Sequence, residues 1–297
     1  MQFGFGYGNY RVEITLTRKK RRPPDALTVF NYHQIGRKFL PGIHTPGTFT
    51  ETPFFEEQLR HIAREYRVIS LAEGIAMLNE GRLDDRYAAI TVDDGDRSVL
   101  EMVPIFRRLQ MPATFFVNSG NLDNRSSYWY PIYNFVRHHE RYRLLLSEEI
   151  EREIGQLRHT TDRTLYRKNM DIFQKIFEEI REDFNLYLTG KELEDIDGSI
   201  FDIAPHGYLH ERFSMMDESW QRHNLKKDIE FLRRYKNYRG IFGIPFGRPG
   251  DWTHTTIRLA LEEGLQIVFA DGGINTAKEV GYRRIPADGR VIGELKL

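Results

Sequence analysis

The chain predicts an α/β protein, a (β/α) barrel of seven or eight parallel strands with a helical insertion. Beyond Pro24, short apolar runs bounded by turn residues alternate with segments whose apolar residues recur at helical spacing. A length of 297 residues is long for one ordinary domain and normal for such a barrel with an insertion. No internal repeat or low-complexity tract points to another architecture.

Taken in order, residues 1–24 are expected to be an N-terminal extension and residues 25–297 the barrel. The extension opens with Gly alternating with aromatics and ends in a basic run, Arg18 to Arg22, before Pro23-Pro24. Such a short run reads as a solvated linker rather than a contact with acidic lipid or polymer. The expected strands are Leu27 to Tyr32, Arg67 to Leu71, Ala88 to Val92, Ala113 to Asn118, Phe201 to Ala204, Gly240 to Ile244, Gln266 to Ala270 and Tyr282 to Ile285. Helical spacing marks Pro53 to Tyr66, Leu71 to Asn79, Ser98 to Leu109, Asp217 to Tyr235 and Thr255 to Glu263, with Ser70, Ser98 and Asp217 as N-caps. From about Asn121 to Ser199 the rhythm breaks. A polar loop and Tyr128-Trp129-Tyr130-Pro131 lead into charged helical sequence, an insertion whose aromatic opening either anchors it or forms a substrate platform.

Composition narrows the functional classes. Lys plus Arg and Asp plus Glu each total 43, so no global field draws the chain to nucleic acid. With no cysteine, disulfides, thiolate catalysis and Cys-ligated zinc are excluded, and any metal must rest on His, Asp and Glu. No stretch approaches the roughly 18 apolar residues of a membrane-spanning helix, and no signal peptide is visible at the N-terminus. If Met1 is the true start, the expected location is cytoplasmic; if the N-terminus is trimmed, it is periplasmic or extracellular. Oligomeric state leaves no mark in the sequence.

Two motifs carry chemistry. Asp93-Asp94-Gly95 follows one expected strand, and His206-Gly207-Tyr208-Leu209-His210 follows another. Two imidazoles and one carboxylate are a normal ligand set for a catalytic zinc, and the adjacent carboxylate remains free as a base. Alone, each has a plainer reading: an Asx turn for the first, structural histidines for the second. His33 and Pro245-Phe246-Gly247 also follow strands, so in a parallel barrel all four elements converge on one mouth.

In order along the chain, these segments resemble the polysaccharide deacetylases, the family 4 carbohydrate esterases. Tyr32-His33-Gln34-Ile35 is similar to the YHxI opening of one branch, and Thr91-Val92-Asp93-Asp94-Gly95 to the family's TFDDG. Met111 to Val117 is similar to xPATFFV, His206 to His210 to H(S/T)xxH, Ile244 to Gly247 to xPYG, and Arg283 to Pro286 to LPRI. Outside the insertion, the resemblance covers about Leu27 to Pro286.

The resemblance implies a deformed (β/α) barrel and a metal-dependent hydrolase that removes N-acetyl groups from amino sugars of GlcNAc type. It implies that Asp94, His206 and His210 bind a divalent metal, usually zinc, and that Asp93 is the general base. Pro245, Phe246 and Gly247 would form the oxyanion site through the Phe246 N–H, and His33 would be the acid for the leaving amine. Gly243 stands where one branch carries an Arg that steadies the base, so Arg284 is expected to supply that charge, the alternative being a surface ion pair. Gly207 replaces the usual Ser or Thr, an expected loss of support for the histidine loop. Other readings of the same site are a deformylase, another amide hydrolase, or a carbohydrate-binding relative without turnover.

Overall fold

The computed structural model describes residues 25–157, 160–196 and 198–290; the basic run from Arg18 to Arg22 lies outside them. Strand β1 (Ala26–Tyr32) is buried along its whole length, as expected of a strand covered on both faces. After it come two three-residue strands, β2 (Gln34–Gly36) and β3 (Phe49–Glu51), too short for the sequence pattern to reveal. Helix α1 (Thr52–Glu65) has Pro in its first turn and buries Phe55, Gln58, Leu59 and Ile62. The strand expected at Arg67 to Leu71 shrinks to β4 (Arg67–Val68), because Ser70 turns aside to cap α2 (Leu71–Asn79) by accepting from the Glu73 N–H.

Strand β5 (Arg86–Val92) leads to α3 (Val99–Leu109) and β6 (Ala113–Val117). Ser98 stands at the N-cap of α3 but makes no capping bond; its Oγ accepts the Ile35 N–H instead. The segment between β6 and the next strand holds α4 (Trp129–His138), α5 (Glu148–Leu157), α6 (Arg163–Ile180) and α7 (Gly190–Glu194). Its helices close over an apolar cluster of their own, with Trp129, Phe135, Phe173, Phe177 and Phe184 buried. Strand β7 (Phe201–Pro205), α8 (Glu218–Leu232), β8 (Ile241–Gly243), α9 (His254–Glu262) and β9 (Gln266–Phe269) then restore the alternation. Asp217 caps α8 through the Trp220 N–H, as expected.

The strand expected at Tyr282 to Ile285 is split into β10 (Tyr282–Arg283) and β11 (Ile285–Pro286). Between them Arg284 donates its N–H to the Phe269 carbonyl, carrying the chain from the edge of β9 to the edge of β1. All ladders are parallel: β11-β1-β5-β6-β7 with β4 also on β5, then β10-β9-β8, then β2-β3. Between β7 and β8 the pairing falls to a single bridge, Ile203 to Tyr238. The result is an α/β fold of parallel strands wrapped by helices, irregular where a regular barrel would be continuous. Its interior is aromatic: Phe106 meets Phe55 and Phe201 edge-on at 5.6 and 6.0 Å. Each such buried ring contributes about 1.5–3 kcal/mol relative to exposure. Among the described residues, no helix is long and apolar enough to cross a membrane.

Candidate metal centre

Each candidate side chain sits just beyond the C-terminal end of a strand. Asp93 and Asp94 follow β5, His206 and His210 follow β7, Phe246 follows β8, and His33 follows β1. The turns that deliver them are tight. Asp94, His210 and Phe246 all adopt left-handed backbone, at φ 76°, 55° and 61°, although none is glycine. Conformations of this kind cost on the order of 1–3 kcal/mol and persist where the surroundings over-determine them, commonly at functional sites.

Asp94 Oδ1 lies 3.1 Å from His210 Nε2 and 3.4 Å from His206 Nε2. The ligand atoms of the three residues all lie within 4.8 Å of one another. His206 Nδ1 is 2.6 Å from the Gly243 carbonyl, an acceptor only, so this nitrogen carries the proton and the Nε2 lone pair faces Asp94. Asp94 Oδ1 is buried yet accepts no hydrogen bond. A buried carboxylate oxygen without a donor, facing an imidazole lone pair, is the donor set a divalent cation satisfies, and zinc suits its N,N,O character.

Asp93 is held separately. Arg284, fully buried, reaches it with both arms: Nη1 to Oδ1 at 2.6 Å and Nη2 to Oδ2 at 3.0 Å. Asn31 donates to Oδ2 at 3.0 Å and also accepts from Arg284 and Thr91. Burial pushes the Asp93 carboxyl up, but the charge and hydrogen bonds of Arg284, with the charge of His33, outweigh it and leave it below the ordinary carboxylate value. Arg284 is therefore an internal counter-charge, not a surface ion pair. Gly243 cannot be replaced by a larger residue, because an added Cβ would lie 2.7 Å from the Phe116 ring.

His33 Nε2 lies 3.8 Å from Asp93 Oδ2, and its Nδ1 lies 2.6 Å from Asp288 Oδ2. Burial pulls the imidazole down, but Asp288, with Asp94 and Asp93, raises it to about 10. Asp288 was not foreseen; it lies on the chain just after β11, and only the fold sets it against His33. Asn31 and Thr91 were also missed, although polar residues inside apolar strands were the available signal.

Gly207 corrects an expectation. Its φ is 77°, and an added Cβ would come within 3.1–3.3 Å of Phe213, Asn224 and Pro245, so the backbone favours glycine where a hydroxyl residue was expected. The histidine loop is supported instead by Asn118, which donates to the His206 and Gly207 carbonyls, and by Asp228, which accepts the His206 N–H. The oxyanion candidate is a similarly tight turn: a Cβ on Gly247 would lie 2.7 Å from the Ala270 nitrogen. The aromatic opening of the insertion divides its work. Trp129 packs on Phe173, whereas Tyr128 lies against His210, with ring centroids 4.3 Å apart.

Fold and site define a hydrolase built on parallel strands and helices, with an Asp-His-His group whose geometry could hold a metal ion. A model of the polysaccharide deacetylase family matches residues 80–268, and this chain belongs to that family. The fold also matches solved structures of low sequence identity, which speak to the fold alone. The Streptococcus pyogenes deacetylase PplD, in complex with acetate, is 15% identical at a TM-score of 0.61, covering 92% of this chain and 97% of that one. IcaB from Ammonifex degensii is 15% identical at 0.62, covering 92% and 96%. A de-N-acetylase from Aggregatibacter actinomycetemcomitans is 14% identical at 0.59, covering 92% and 100%. A comparison with curated proteins gives no match.

Proposed function

We propose that this chain is a metal-dependent N-deacetylase acting on GlcNAc-type amino sugars of a polysaccharide, glycolipid or oligosaccharide precursor. The observation that carries the reading is the division of the two adjacent carboxylates. Asp94 turns to the histidines with an oxygen that accepts no hydrogen bond, while Asp93 turns to Arg284 and keeps its charge. Asp94, His206 and His210 would hold the cation. A bound divalent cation supplies Lewis acidity, polarising the amide carbonyl and acidifying water.

The chain's own residues supply the rest. Asp93 accepts the proton of the attacking water, oriented by Arg284 and Asn31. Its lowered pKa keeps it ionised at neutral pH, at the cost of basicity. The Phe246 N–H, at the turn formed with Pro245 and Gly247, is the donor for the developing oxyanion. As the C–N bond breaks, His33 gives the proton on Nε2 to the leaving nitrogen, while Asp288 on Nδ1 stabilises the imidazolium and fixes its orientation. The products are acetate and a free amino sugar.

The titration that tests this is zinc-dependent release of acetate and amine from a panel of N-acetylated oligosaccharides, comparing wild type with Asp93→Asn. Release by wild type with nearly complete loss in the variant is the expected result. Equal turnover by the variant would remove Asp93 as base. No release despite stoichiometric zinc would turn the reading toward a formyl or other amide substrate, or toward binding alone.

A further inference from the structure

The two histidines of the candidate metal centre are held in different ways. His206 is fixed by the contact of Nδ1 with the Gly243 carbonyl. His210 Nδ1 is buried and has no hydrogen-bond partner. A ligating imidazole is normally oriented through its second nitrogen, so something else must set the His210 ring.

What surrounds it is aromatic. Tyr128 lies across the ring at 4.3 Å and 32°, and Phe246 meets it edge-on at 4.7 Å and 69°. Tyr128 and Phe246 are themselves perpendicular, with centroids 6.2 Å apart, so the imidazole is wedged between them. Tyr128 and Asp94 also line one small cavity, with Pro131 and Tyr187 of the inserted segment. The chain on either side of Tyr128 is pinned: Ser127 Oγ bonds the Tyr187 hydroxyl at 2.7 Å, Gln174 donates to the Ser127 carbonyl at 2.8 Å, and Trp129 is buried against Phe173.

We propose that Tyr128 is a positioning residue for the metal centre: its ring takes the place of the absent hydrogen bond in holding His210, so the inserted helices set the metal affinity of a site built on β5 and β7. This rests on the metal-binding reading above. The ring matters and the hydroxyl does not, because the contact with His210 is ring against ring, tilted by 32°.

The test is competition titration of Zn2+ against a chromophoric chelator, with the Co2+ visible spectrum as a second readout of ligand geometry. Tyr128→Leu should weaken Zn2+ binding about tenfold, the lower end of what losing an orienting partner costs a ligand, and should change the Co2+ spectrum. Tyr128→Phe should match the wild type in both. Unfolding of the metal-free proteins, followed by circular dichroism, shows whether the Leu variant folds; Tyr128→Met is the second ring-less variant should it not. Unchanged affinity and spectrum in a folded ring-less variant would overturn the proposal, as would a Phe variant as weak as Leu. A wild type that binds no zinc would overturn the metal reading itself, a result distinct from either.

Discussion

Arg284 and Asp93, 191 residues apart in sequence, meet through a two-pronged ion pair buried on both sides. The pairing gives Asp93 a fixed orientation and a counter-charge that water cannot screen. Removing one partner of such a pair leaves the other charged and dry, which typically costs 3–5 kcal/mol, about that expected here for Arg284→Met. The same change should raise the Asp93 pKa and move the acid limb of the kcat profile to higher pH. Arg284→Lys keeps the charge but not the fork and should fall between. Chemical denaturation and a pH–rate series check both; an unmoved acid limb in Arg284→Met would remove Arg284 from the chemistry.

On the proposed mechanism, Asp288 is expected to set the opposite limb through its contact with His33. His33 is raised to about 10, with burial opposing and the Asp288 contact outweighing it, so the acid form is retained at neutral and mildly alkaline pH. In Asp288→Asn the imidazole should drop toward or below its ordinary value of about 6.5, and the alkaline limb of kcat should move down with it. For stability the sign is the same: a raised histidine contributes fully below its unfolded pKa, and the contribution is lost as pH rises through the folded one. The wild type should therefore lose part of its advantage over Asp288→Asn between about pH 6.5 and 10. Parallel profiles for the two proteins would contradict this assignment.

Asp228 has the opposite dependence. Burial raises it to about 6, against the pull of the Ser119 and His206 N–H groups that donate to it. Between about 3.8 and 6 the folded state holds the extra proton, so this group's contribution to stability falls as pH rises. Asp228→Asn cannot accept both N–H groups and should be destabilised, but the deficit should be larger at pH 4 than at pH 7. A deficit independent of pH would show that Asp228 does not titrate in that window.

Gly207→Ser restores the hydroxyl common in the family and should nevertheless weaken the protein. The backbone is at φ 77°, and the new Cβ would press on Phe213, Asn224 and Pro245. A cost of about 1–2 kcal/mol is expected from the left-handed backbone alone. The unfolding midpoint checks this, and a gain in stability would refute it.

How much of this the sequence disclosed depended on range. Helix α2 was legible to the residue because apolar spacing and the Ser70 cap are local signals. The Asp94, His206 and His210 group was legible because Asp94 and His206 follow recognisable strands and His210 stands four residues after His206 in one motif. Strands β2 and β3 were hidden by their brevity, and the break at Arg284 by the fact that one extended run pairs first with β9 and then with β1. Asp288 was illegible for a stronger reason: the chain around it carries no local sign of a partner 255 residues away. The glycine at 207 was visible, but that the backbone there favours glycine depended on a dihedral angle that composition does not encode.

Because β11 closes against β1, the groups that charge and aim the chemistry come from opposite ends of the described chain. Loops of this length close slowly and late. A ribosome would have made every proposed metal ligand long before Arg284 and Asp288 emerged. A nascent or C-terminally clipped chain could then capture a cation while its base still lacked a counter-charge and its acid a partner. On the proposed function, the residues that would hold the metal are thus all made before those that orient the base and the acid.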